Sequence, residues 1–189
     1  MDLQKRKNHR LRNFDYGACG YYYVTICTQD RKNLLSVIHT QSDAPVALFC
    51  DVPSPTILPT PLGEKVVECI NNIERLNDNV EIDKFVLMPN HVHAIIVIKN
   101  AEQIELKDKK YAFQIAEQKG RRSLQGVIRD FKSVTTRYYK KTYNTDCPLW
   151  QKSFYDEIIE REDHYYNVLQ YIEDNPMNWV NDKYNMTDK

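Results

Sequence analysis

The sequence predicts an α+β fold in which one antiparallel sheet carries packed helices, ferredoxin-like in the order of its elements. Three observations lead there. Hydrophobic spacing alternates along the chain between a period of two and a period of three to four, giving the order strand, helix, strand, strand, helix, strand, helix. The two middle strands are separated only by Pro89-Asn90, a turn pair. The segment Val92–Ile98 is apolar on both faces, which suits a strand at the centre of a sheet.

Tyr21–Thr28 is rich in aromatic and β-branched residues and reads as the first strand. Residues 39–61 hold five of the eight prolines, so an irregular excursion from the domain is expected there. Thr60-Pro61 opens a helix, threonine capping and proline in the first turn, with Val66, Cys69, Ile70, Ile73 and Leu76 at helical spacing. Val80–Met88 and Val92–Ile98 follow as strands. A helix from Ser123 to about Tyr143 carries Leu124, Val127, Ile128, Phe131, Val134 and Tyr138 on one stripe. Phe154–Ile159 reads as an edge strand. The last helix, Glu162 to Asn175, carries Tyr165, Val168, Leu169 and Ile172 on its inner face and is ended by Pro176. The expected organisation is a basic arm over residues 1–20, one domain over 21–180 containing the excursion 39–61, and a tail over 181–189.

Composition limits the function classes. With 42% hydrophobic residues in 189 the chain has material for a real core, which excludes wholesale disorder. No run approaches the roughly 18 apolar residues of a membrane span, and no apolar stretch follows the charged N-terminus as in a secretory signal. The expectation is a cytoplasmic protein with no membrane partner. Five cysteines, at 19, 27, 50, 69 and 147, include no Cys-x-x-Cys pair, which points to free thiols rather than a disulfide framework or zinc ribbon. The 26 basic and 26 acidic residues cancel, but they are segregated. Lys5, Arg6, Lys7, Arg10 and Arg12 face one acid in residues 1–12, and eight bases face Asp130 alone between Lys119 and Lys141. A solvated helix face is the commoner explanation of such a run, and a phosphate-tracking surface is the alternative.

His91 and His93 stand two apart on a strand, so both imidazoles project from one face and can converge on one divalent metal. They open a very apolar strand, where two polar rings otherwise cost burial energy. Tyr171 and Asn175, four apart on the last helix, share a face at the margin of its buried stripe. Read by themselves, these two are better explained as a rim tyrosine and a helix-terminal asparagine before proline. His9 and His39 are expected in poorly structured segments and His164 at an acidic helix start. With five glycines in the chain there is no phosphate-cradling loop, and no Ser-His-Asp signature occurs.

Three blocks, Val86-Leu87-Met88-Pro89-Asn90-His91-Val92-His93, Leu149-Trp150-Gln151-Lys152-Ser153-Phe154-Tyr155-Asp156 and Tyr171-Ile172-Glu173-Asp174-Asn175-Pro176, resemble the signatures of REP-associated tyrosine transposases. These are single-strand DNA transposases with a His-hydrophobe-His motif, related to the insertion-sequence-200/605 enzymes. The resemblance runs from about Tyr21 to Trp179. It implies a His-hydrophobe-His endonuclease fold and a nuclease-ligase that cleaves and rejoins hairpin-bearing single-stranded DNA through a 5′-phosphotyrosine. It also implies that His91, His93 and Asn175 hold Mg²⁺ or Mn²⁺ and that Tyr171 is the nucleophile. On this reading the DNA lies against Lys5, Arg6, Arg10, Arg12, Arg121, Arg122, Arg129, Lys132, Arg137 and Lys140, with a homodimer left open as the active unit. Two features depart from the pattern: Glu157 stands where many relatives have histidine, and the proline-rich stretch is longer. A domesticated DNA-binding protein without turnover and a replication-initiator or relaxase-like nickase are the alternatives.

Overall fold

The computed structural model describes residues 19–39, 55–99 and 122–185. In chain order the elements are β1 (Gly20–Cys27), β2 (Ser36–His39), β3 (Thr56–Pro59), α1 (Pro61–Leu76), β4 (Val80–Leu87), β5 (His91–Ile98), α2 (Leu124–Tyr143), β6 (Tyr155–Ile159) and α3 (Glu162–Asp174). Short 3-10 turns lie at Gln29–Arg31 and Trp179–Asn181. Four strands form an antiparallel sheet in the order β4-β5-β1-β6, the ferredoxin-like arrangement expected. The strand that is apolar on two sides, β5, is central. All eight residues of β5 are buried, and β6 sits at an edge.

The period of two sorts the sheet into faces. Tyr22, Val24 and Ile26 of β1 and Val92, Ala94, Ile96 and Ile98 of β5 meet α1 and α2 through Val66, Ile70, Leu124, Val127, Ile128 and Phe131. The opposite face, with Tyr23, Val86, Met88 and Ile95, is covered by α3 through Val168 and Ile172 and by Trp179. The helices therefore occupy both sides of the sheet, and the histidine pair lies on the α3 side.

Capping places the helices as expected. Thr60 Oγ1 accepts from the Gly63 backbone N–H at 3.0 Å and donates to the Leu34 carbonyl at 2.7 Å, so one hydroxyl starts α1 and anchors the preceding chain. Gly63 is required by proximity: a Cβ there would fall 1.9 Å from the Leu35 carbonyl oxygen. Ser123 caps α2 through the Gly126 N–H. Asn144 closes α2 in the left-handed region, at φ 47°, a conformation asparagine adopts more readily than most residues.

Three expectations are corrected. The excursion expected over 39–61 is corrected only at its ends, since residues 40–54 lie outside the described residues: strand β3 and the start of α1 occupy its C-terminal end, and β3 pairs antiparallel with β2 as a separate ribbon. His39 accordingly ends a strand rather than lying in an unstructured segment. Proline is tolerated because Pro59 is the last residue of a two-stranded ribbon, and Ile38 and Ile57 dock it on the α3-side core. On α2, Val134 is exposed and Thr135 takes the buried place. The Thr135 hydroxyl donates to the Phe131 carbonyl and accepts from Trp150 Nε1, both at 2.8 Å, so a helical hydroxyl completes the indole's only polar contact. The four described cysteines are free, as expected, and no helix among the described residues is long and apolar enough to cross a membrane.

Candidate active site

The β4–β5 turn is held by its backbone. Met88 N–H donates to the His91 carbonyl, Leu35 N–H to that of Pro89, and Thr28 N–H to that of Asn90. This leaves the Asn90 side chain to organise the first imidazole. Its Nδ2 donates to the carbonyls of Arg31 and Tyr184 at 3.0 and 2.8 Å. The amide orientation is thereby set, and Oδ1 must be the atom 2.8 Å from His91 Nδ1. His91 Nδ1 therefore carries the proton, and Nε2 presents a lone pair.

His93 Nδ1 lies 2.7 Å from the Tyr23 hydroxyl and 2.9 Å from Thr25 Oγ1, two residues that share its side of the sheet on the neighbouring strand. The two Nε2 atoms face each other at 3.0 Å. Since His91 Nε2 is an acceptor, His93 Nε2 donates to it while His93 Nδ1 accepts from the Tyr23 hydroxyl, and the Thr25 hydroxyl donates to Tyr23 at 3.3 Å. Both rings are fully buried. Burial, reinforced by Arg31, lowers the His91 pKa to about 3, and burial with the neighbouring imidazole lowers that of His93. Both rings are neutral at physiological pH, the form that binds metal.

α3 brings the other two predicted residues to the same place. The Tyr171 ring lies 5.3 Å from that of His93 and 6.2 Å from that of Tyr23, and remains 40% exposed. Burial raises its pKa, partly countered by the Asn175 side chain. Asn175 is 2% exposed, interacts with both Tyr171 and His91, and its Oδ1 is buried with no hydrogen-bond partner. An orphaned buried carbonyl oxygen beside a pair of neutral imidazoles is the chemistry of a divalent-cation donor set. The residues present fit a metal through two nitrogens and one amide oxygen. No cluster of three His, Cys, Asp or Glu occurs among the described residues.

Sequence reading missed four neighbours. Tyr23 and Thr25 brace His93, Asn90 sets the tautomer of His91, and the Tyr184 ring covers His91 at 4.7 Å. Only Asn90 had a local signal, its place beside the pair in the turn. The others depend on strand register and on the chain after α3.

The basic residues divide. Lys5, Arg6, Arg10, Arg12 and Arg121 lie outside the described residues, as does His9. Lys132 donates through Nζ to the carbonyls of Gln151 and Ser153 at 2.9 Å each, which ties the 151–153 loop to α2. Arg122 and Arg129 pair with Asp130. Arg137 is exposed and Lys140 half-buried. All of these belong to the α2 layer, across the sheet from Tyr171.

No family model matches the chain. It is 30% identical over 186 residues to an uncharacterized protein of Haemophilus influenzae, covering 96% of this chain and 93% of that one. Among solved structures it is similar to a REP-associated tyrosine transposase bound to a REP hairpin, with a TM-score of 0.55 and 17% identity over 90% of this chain and 73% of the other. The chain belongs to one family with the Haemophilus protein, and it has the fold of a REP-associated tyrosine transposase.

Proposed function

We propose that the protein is a metal-dependent nuclease-ligase of the transposase kind, which cuts and rejoins hairpin-bearing single-stranded DNA through Tyr171. The observation that carries this reading is the meeting of an exposed phenol, two neutral buried imidazoles and an orphaned amide oxygen on one side of the sheet. The REP-associated transposase with the same fold was solved on a REP hairpin, which supports hairpin DNA as the substrate class.

His91 Nε2, His93 Nε2 and Asn175 Oδ1 would hold Mg²⁺ or Mn²⁺. When bound, that cation neutralises phosphate charge and favours ionised tyrosine. For His93 to ligate through Nε2 its proton must move to Nδ1, where Thr25 Oγ1 at 2.9 Å can accept it in a hydrogen bond. Tyr171 gives up its phenolic proton to water and its oxygen attacks phosphorus in line. The bond to the 3′-oxygen breaks, its electron pair leaves with that oxygen, and a proton from water completes the 3′-hydroxyl. The resulting 5′-phosphotyrosine retains the phosphodiester bond energy, so attack by another 3′-hydroxyl joins strands without ATP. Half-exposure suits Tyr171 to both demands, since the hydroxyl reaches DNA while the ring stays packed against His93 and Tyr23.

A labelled single strand bearing a hairpin, incubated with Mn²⁺, tests the reading. Wild type should form a covalent protein–DNA adduct that is absent with Tyr171→Phe. An adduct that persists in the variant moves the nucleophile elsewhere, and tight binding with no adduct under any divalent metal supports a DNA-binding protein without turnover.

A further inference from the structure

Beside Tyr171 a cavity of about 380 Å³ opens between α3 and the β1–β6 edge of the sheet. Tyr171 and Lys183 lie along it, together with Tyr155, Glu157, His164 and Asn167. Its volume falls within the range of ligand pockets and accommodates a nucleotide. The polar end is organised. Glu157 Oε2 accepts from the Tyr155 hydroxyl at 2.8 Å, which holds the carboxylate in place, and Glu157 Oε1 lies 3.4 Å from His164 Nε2. A carboxylate has about four lone-pair sites, so each oxygen keeps acceptor capacity for a ligand.

From this geometry we infer that the cavity is a base pocket for an unpaired guanine adjacent to the bond that Tyr171 attacks, with Glu157 reading its Watson–Crick edge. The inference rests on the proposed DNA-cutting function and adds its base specificity. A carboxylate only accepts, so it selects a base that presents donors side by side. Guanine does so with N1–H and the 2-amino group, which match two carboxylate oxygens as a bidentate pair. Adenine and cytosine flank their amino group with ring-nitrogen acceptors, and thymine places its single N–H between two carbonyls, so each sets a lone pair against Glu157. The phenol rings supply a surface for stacking, and Lys183 supplies a cation for the backbone phosphate. Asn167 offers both donor and acceptor to the remaining base edge. Because Tyr171 lines the same cavity, a base held there fixes which phosphodiester meets the phenol, as pockets for unstacked bases do in other enzymes acting on DNA.

Mononucleotide binding to the full chain, followed by saturation-transfer NMR, tests the pocket without requiring catalysis. Guanosine 5′-monophosphate should bind about tenfold more tightly than inosine 5′-monophosphate, which lacks the 2-amino group, and than the adenosine and cytidine monophosphates. Glu157→Ala should remove the difference between guanosine and inosine. Equal or absent binding of the four probes, or selectivity that survives Glu157→Ala, overturns the inference. A second readout uses single strands with randomised bases and Mn²⁺, sequencing the DNA on both sides of the cut. Guanine should be enriched at one position next to the phosphotyrosine in wild type, with that enrichment alone lost in Glu157→Ala. Adducts formed with no base preference there also overturn the pocket. Guanine-selective binding with no adduct leaves the pocket standing and removes the nuclease reading, so the two failures are distinguishable.

Discussion

Asn90 Oδ1 lies 2.8 Å from His91 Nδ1, and the same amide donates from its other end to the carbonyls of Arg31 and Tyr184. One side chain thus joins the β4–β5 turn, the segment after β1 and the segment after α3, and points the free lone pair of His91 toward His93. Asn90→Leu keeps the size of the side chain and removes all three bonds. The expected cost is about 2–3 kcal/mol, from buried polar groups left unpaired. If the proposed metal site holds, Mn²⁺ affinity should also fall about 10–100-fold, because the imidazole is no longer held with Nε2 free. Chemical denaturation and calorimetric titration of Mn²⁺ check the two parts separately. Unchanged Mn²⁺ affinity would mean that Asn90 serves the fold alone.

The pH dependence of stability follows from the same burial. In the folded, metal-free protein the His91 pKa is about 3, against an ordinary value of 6.5. Between those values the unfolded chain binds the proton and the folded chain does not, so stability rises with pH there. The contribution of neutral His91 is complete above about pH 6.5 and is lost as pH falls toward 3. On the order of 2 kcal/mol should disappear between pH 6.5 and 5, with His93 acting in the same direction. Thermal unfolding in the presence of a chelator should show a steep decline over this window, flattened in His91→Gln. Parallel curves for the two proteins would remove the assignment.

Thr135→Val tests the buried hydroxyl of α2. The substitution nearly preserves shape but leaves Trp150 Nε1 without its 2.8 Å acceptor. The expected loss is about 1–3 kcal/mol, measurable in urea unfolding. Serine at the same position keeps the acceptor and should recover most of that loss.

Gly63→Ala should be more damaging than its chemistry suggests. The added methyl would meet the Leu35 carbonyl at 1.9 Å, and that carbonyl also accepts from the Thr60 backbone N–H. Since the obstacle is backbone, the first turn of α1 must shift. A loss of about 3 kcal/mol or more is expected, against about 1–2 kcal/mol for Thr60→Ala, which removes the cap and the hydroxyl's bond to the Leu34 carbonyl. Comparable unfolding midpoints for the two variants would contradict this.

The bases on α2 should separate by role. Lys132→Met removes the tie between α2 and the Gln151 and Ser153 carbonyls, so it should lower stability. If the proposed DNA reading holds, Arg137→Ala should leave stability near wild type and reduce the slope of log binding constant against log salt by about 1. Hairpin titrations at several salt concentrations check this. A slope unchanged by Arg137→Ala removes that side chain from the DNA surface.

Much of the architecture was legible because it depends on local periodicity. Thr60-Pro61 and Ser123 start helices, since their caps need only residues three positions away. β5 is central because apolar side chains on both faces exclude an edge. The β2–β3 ribbon was not legible: its prolines argue for irregular chain, and only docking of Ile38 and Ile57 on a distant core favours a strand pair. Val134 and Thr135 exchanged their expected places for a similar reason, because the acceptor required by Trp150 is fixed by packing, not by hydropathy.

The candidate site divides in the same way. Sequence by itself determined that His91 and His93 share a strand face and that Tyr171 and Asn175 share a helix face, since each pair is set by the repeat of its own element. Tertiary structure decided that the two pairs meet, that Tyr23, Thr25 and Asn90 set the imidazole protons, and that Lys132 binds carbonyls of its own chain. Those outcomes require sheet register and the seating of α3 on one face, long-range relationships that no local repeat encodes.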